Sequence, residues 1–70
     1  MKPVTGVEGL VGEIGESLDI LDPGGRVWVH GEVWRAESTA GKVGKGEKVR
    51  VAAIRNLKLR VEQVDPSFIN

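Results

Sequence analysis

A small all-β barrel of five short strands is the fold this sequence predicts, and three observations predict it. Apolar and polar residues alternate over several short runs, the pattern of a strand with one buried and one wet face. Turn signals separate these runs at roughly 8–12-residue spacing. The composition is rich in glycine (10 of 70 residues) and valine, lacks tyrosine, and holds only two tryptophans and one phenylalanine. That suits short, twisted strands with tight corners.

The elements follow in order. Residues 1–9 read as a flexible lead-in punctuated by Pro3, Gly6 and Gly9. Val7, Leu10, Val11, Ile14, Leu18 and Leu21 fall at helical spacing. Gly9, Gly12 and Gly15 oppose a helix, each costing an interior position about 1 kcal/mol relative to alanine. The segment therefore reads as a strand from about Gly15 to Leu21, with Leu18 and Ile20 facing in and Gly12 and Gly15 at a bend before it. Asp22-Pro23-Gly24-Gly25 is a turn, because proline pre-sets φ and glycine accepts positive values. A hairpin follows, with strands at 26–30 and 32–38 around His30-Gly31. Its alternation points Val27, Val29, Trp34 and Ala36 inward and leaves Trp28 and Val33 outside.

Residues 39–46 form a loop whose one large apolar residue, Val43, is placed to plug an end of the barrel. Lys48–Ile54 alternates, with Val49, Val51 and Ala53 on one face. Arg55-Asn56 is a corner, since asparagine tolerates the left-handed region. Leu57, Leu59 and Val61 then alternate with Lys58, Arg60 and Glu62. Asp65-Pro66 ends this strand, and 65–70 reads as a frayed tail around a barrel at 10–64. Five such strands satisfy their edges best by closing. The count fits an OB-fold-like barrel, with an SH3-like barrel as the near competitor.

Seventy residues make one domain that buries roughly 60% of its unfolded surface. With no cysteine there is neither a disulfide nor thiolate chemistry. Ten basic and ten acidic side chains cancel, which argues against a dedicated nucleic-acid binder. The cancellation hides an asymmetry: residues 1–35 hold three basic and six acidic side chains, residues 36–70 seven and four. No apolar run approaches the ~18 residues of a membrane span, and no signal peptide follows Met1-Lys2-Pro3.

Catalytic patterns are missing. His30 is the one histidine, so no metal cluster can be built and the serines at 17, 38 and 67 lack a triad. The glycines at 41, 44 and 46 precede no helix, so they make no phosphate loop and no cofactor is implied. Asp19, Asp22 and Glu32 read as solvated turn formers rather than an acid pair. A lipoyl or biotinyl carrier needs a lysine at a hairpin tip, where this chain has His30-Gly31. The expectation is a protein that is not an enzyme.

Two surfaces are candidates for binding. On the hairpin's outer face, Trp28, Val33 and Arg35 form a candidate partner contact, unless residues 1–12 fold over it. On the last two strands, Lys48, Arg50, Lys58 and Arg60 share an outer face and form a basic patch if the strands pair. That patch would suit anionic headgroups, single-stranded nucleic acid or an acidic partner. No aromatic is interleaved with it, which counts against nucleic acid, although an OB- or SH3-like single-strand-binding module is the alternative reading.

Five motifs stand in order across residues 10–62. Gly12 and Gly15 precede the first strand, and Leu21, Pro23 and Gly25 make the first turn. Val27–Ala36 reads V-x-V-x-G-E-x-W-x-A, Lys45–Val51 reads K-G-x-x-V-x-V, and Leu59–Val61 reads L-x-V. Together they resemble the C-terminal soluble domain of the NfeD-like membrane proteins. The departure is Asn56, in a turn where that family commonly has glycine. The resemblance implies an OB-fold domain outside the bilayer, on the cytoplasmic side of a membrane-anchored parent. It also implies a stomatin- or prohibitin-like membrane protein as partner, and a non-catalytic role in assembling or regulating that complex. Longer relatives carry a ClpP-like serine protease domain that is not present in these residues, so the 70 residues read as an excised domain.

Overall fold

A computed structural model describes residues 8–64 of the chain. Within them lie a 3₁₀ turn at Glu8–Leu10 and five strands: β1 Ile14–Ser17, β2 Gly24–Val29, β3 Glu32–Ser38, β4 Lys48–Arg55 and β5 Lys58–Gln63. The strands close into a barrel in the order β1-β2-β3-β5-β4. All pairs are antiparallel except β3 with β5, which run parallel over Ala36–Ser38 and Leu59–Val61. This five-stranded closure with one parallel seam is the OB-fold arrangement. The expected lead-in falls mostly, and the tail wholly, outside the described residues.

The core is built from alternate positions of each strand. Val27 and Val29 of β2, Ala36 of β3, Val49 and Val51 of β4, and Leu59 and Val61 of β5 are all buried. Trp34 and Ile54 are partly buried against them. Val43 closes one end as expected: its main chain exchanges two hydrogen bonds with Leu21, at 2.8 and 2.9 Å, and both side chains are buried. Leu10 adds to the core from the 3₁₀ turn. The chain beyond it is tied to β4 by Gly12 N–H donating to the Val51 carbonyl at 2.8 Å.

Gly24 and Gly25 open β2 without positive φ rather than completing the turn begun at Asp22-Pro23, and three further expectations need correction. The first strand is shorter and earlier than 15–21, and its inward residues are Gly15 and Ser17, not Leu18 and Ile20. Leu18 is half-buried and Ile20 exposed. The reason is space: a Cβ on Gly15 would collide with the Trp28 carbonyl and sit 2.5 Å from Val29 Cγ2. A large apolar residue cannot enter where β1 crosses β2, and Leu21 fills the core from beyond the strand instead.

Second, Ala53 points outward, because a β-bulge between Val51 and Ala53 reverses the alternation and makes Ile54 the inward residue. Third, Leu57 belongs to no strand. It is the second residue of the two-residue Asn56-Leu57 turn, with φ of +53° and +64° at the two positions, and its side chain is exposed. The other hairpin turn is as expected, with His30 at φ +57° and Gly31 at +82°, the positive pair that a two-residue hairpin demands.

Candidate functional site

The outer face of the β2–β3 hairpin is arranged in cross-strand rows. Trp28 stands directly opposite Val33, and Arg26 opposite Arg35. Ser38 donates its N–H to Pro23 on the β2 side, and Thr39 donates to Val61 on the β5 side. Counting back along β3, the main-chain groups of Val33 point away from β2, so Trp28 and Val33 are a non-hydrogen-bonded pair. Such pairs bring side chains closest together. Trp28 is 47% exposed and Val33 52%. On the other side, Glu16 of β1 pairs with Trp28, which sets the exposed Ile14 diagonal to the tryptophan. Of the segment expected to fold over this face, residues 8–12 are tied to β4 and leave Trp28 open, and residues 1–7 lie outside the described residues.

Arg26 is fixed, and Arg35 is free among the described residues. The Arg26 guanidinium donates to both carboxylate oxygens of Asp19 at 2.9 Å, and its main-chain N–H adds a third bond at 3.1 Å. The side-chain hydrogen bond from Arg26 holds the Asp19 carboxyl below the usual carboxylate range, with partial desolvation opposing it. The same pairing raises Arg26. Arg35 makes no ion pair with any described residue.

The second surface is built differently from the sequence expectation. Strands β4 and β5 do pair, and Lys48, Arg50, Lys58 and Arg60 do face outward, but they form no bare patch. Lys48 lies 3.8 Å from Glu16, Arg50 donates to Glu62 at 3.0 Å, and Glu37 takes Lys58 at 3.2 Å and Arg60 at 4.0 Å. Each cation thus has a carboxylate beside it. The sequence reading missed those carboxylates because two of the three partners, Glu16 and Glu37, come from strands distant in the chain.

Ser17 also acquires a clear role. Its buried hydroxyl donates to the Gly44 carbonyl at 2.6 Å and accepts from Glu47 N–H at 2.9 Å, pinning the 39–47 loop to the end of β1. The Trp34 indole N–H is buried with no partner among the described residues. No group of three or more histidine, aspartate and glutamate side chains is placed to hold a metal ion among the described residues, and no helix in them is long and apolar enough to cross a membrane.

Fold and face together define a small OB-fold domain that presents an apolar and cationic outer hairpin. Residues 7–63 match the NfeD-like C-terminal, partner-binding domain, and the chain belongs to the NfeD family. It is 46% identical over 61 residues to the membrane-bound protease PH1510 of Pyrococcus horikoshii, covering 86% of this chain and 14% of that protein. The C-terminal domain of stomatin operon partner protein 1510-C from P. horikoshii superposes with a TM-score of 0.81 at 43% identity, over 89% of this chain and 98% of that one. The soluble domain of a Corynebacterium glutamicum membrane protein implicated in regulation of membrane protease activity gives 0.76 at 27%, over 83% and 98%.

Proposed function

We propose that this chain is the non-catalytic partner-binding domain of a membrane-anchored NfeD-like protein. In this reading it faces the cytoplasm and helps assemble or regulate a stomatin- or prohibitin-family membrane complex. The observation that carries the reading is the exposed Trp28–Val33 pair with Arg35 beside it. Binding hot spots are enriched in tryptophan and arginine, and here an exposed Trp28 shares its face with Arg35, which has no ion pair among the described residues. The family description and the stomatin-operon name of the superposed relative supply the class of partner. The protease name of the longer relative describes a protein of which this chain spans only 14%.

A pull-down with the soluble domain of a stomatin-family protein tests the proposal. Trp28→Ala is expected to weaken binding by roughly 2 kcal/mol, about thirtyfold, and Val33→Ser by less. Undiminished capture by both variants would remove the hairpin face as the contact.

A further inference from the structure

We propose that the partner surface continues from the hairpin onto the β4–β5 turn, and that its occupant is an extended acidic protein segment with an apolar anchor. The proposal rests on the partner-binding reading above and extends it to Arg55 and Leu57.

The strand order assembles a row of cations that neighbours in sequence do not suggest. Arg26 faces Arg35 across β2 and β3, and Arg55 faces Lys58 across β4 and β5. The parallel register that sets Ala36 against Leu59 brings Arg35 beside Lys58 one residue earlier. Four cations therefore cross the outer face on adjacent strands. Like charges set opposite one another oppose folding. Asp19 relieves Arg26 and Glu37 relieves Lys58, but Arg35 and Arg55 have no carboxylate partner among the described residues. Two free guanidiniums flank the Lys58–Glu37 pair, each able to take a carboxylate bidentately.

Leu57 is the second observation. A bulky side chain at φ +64° is a backbone outlier that glycine would relieve, and this side chain is 68% exposed. It contributes nothing to the core. Because β3 and β5 run parallel, the turn carrying Leu57 stands at the same end of the barrel as Val33 and Trp28. Three exposed apolar side chains, Trp28, Val33 and Leu57, thus stand at the end of the barrel next to the cationic row.

That pairing fits a peptide whose acidic and apolar side chains are interleaved. An anionic bilayer is the poorer match: electrostatic anchoring takes clusters of roughly 4–8 cations, and two are free in this row.

The test uses the ¹⁵N-labelled full chain and two probes, acetyl-Glu-Phe-Glu-Val-Glu-amide and its lysine counterpart. The glutamate probe is expected to shift the Leu57 amide, the Trp28 indole N–H and the Nε–H of Arg35 and Arg55, with affinity falling as salt rises. Arg55→Glu is expected to cut that affinity about tenfold, and Leu57→Gly to weaken it while the barrel stays folded. Equal binding of the two probes, or full affinity in both variants, would overturn the proposal. So would phosphatidylglycerol vesicles that capture the chain through Arg35 and Arg55 while the glutamate probe leaves it unshifted. The same variants against the stomatin-family domain separate the two readings. Loss on Trp28→Ala with no loss on Arg55→Glu or Leu57→Gly removes this extension and keeps the proposed function. No loss in any of them removes both.

Discussion

Gly15 shows how little room the barrel leaves at one crossing. Its missing side chain lets the β2 main chain at Trp28 approach, and a Cβ would meet the Trp28 carbonyl and the buried Val29 side chain, neither of which can move aside freely. Gly15→Ala is expected to destabilise by about 2–3 kcal/mol, read as a lower urea midpoint at unchanged slope. Asp19 gives a pH prediction. Its folded-state pKa is depressed by Arg26, so the pair's contribution is complete above the unfolded-state value and is lost as pH falls through the folded one. The stability gap between the wild type and Asp19→Asn is expected to narrow on the acid limb and stay constant near neutrality, measured as denaturation midpoints against pH. At this scale the sequence was partly legible. The outward Trp28 and inward Val27 and Val29 follow from alternation alone. Gly15 and Ser17 as inward residues do not, because a search for large apolar side chains passes over a position defined by lack of space.

The hairpin turns repeat the contrast at the scale of elements. His30-Gly31 lies between two alternating runs and is recognisable as a two-residue turn. Asn56-Leu57 has the same backbone shape, but leucine disguises it as the first residue of β5. Leu57→Gly is expected to raise stability by up to about 1 kcal/mol, because it removes strain without opening the core. An unchanged or lowered unfolding midpoint would show that the exposed leucine serves the fold. The bulge at β4 was illegible for a related reason: Ala52 and Ala53 are small enough to face either way, so the alternation carries no phase information there.

For the whole molecule, strand count and turn spacing pointed to the barrel, while closure through β3 and β5 had to come from the structure. That closure also decides the electrostatics. It gives Lys58 and Arg60 of the expected basic face their shared carboxylate, Glu37, and it lines up Arg26, Arg35, Lys58 and Arg55 in a row that no local pattern announces. Most of this charge is neutralised on the surface, and on the hairpin face the exposed Trp28 and Val33 adjoin Arg35, a cation with no ion pair among the described residues. The central claim is that this face receives the partner. Titrating the ¹⁵N-labelled chain with a stomatin-family soluble domain tests it most directly. The account predicts that the first and largest shifts fall on the Trp28 indole, Val33 and Arg35. Shifts confined to the opposite wall around Lys48, Arg50 and Glu62, with Trp28 unmoved, would contradict it.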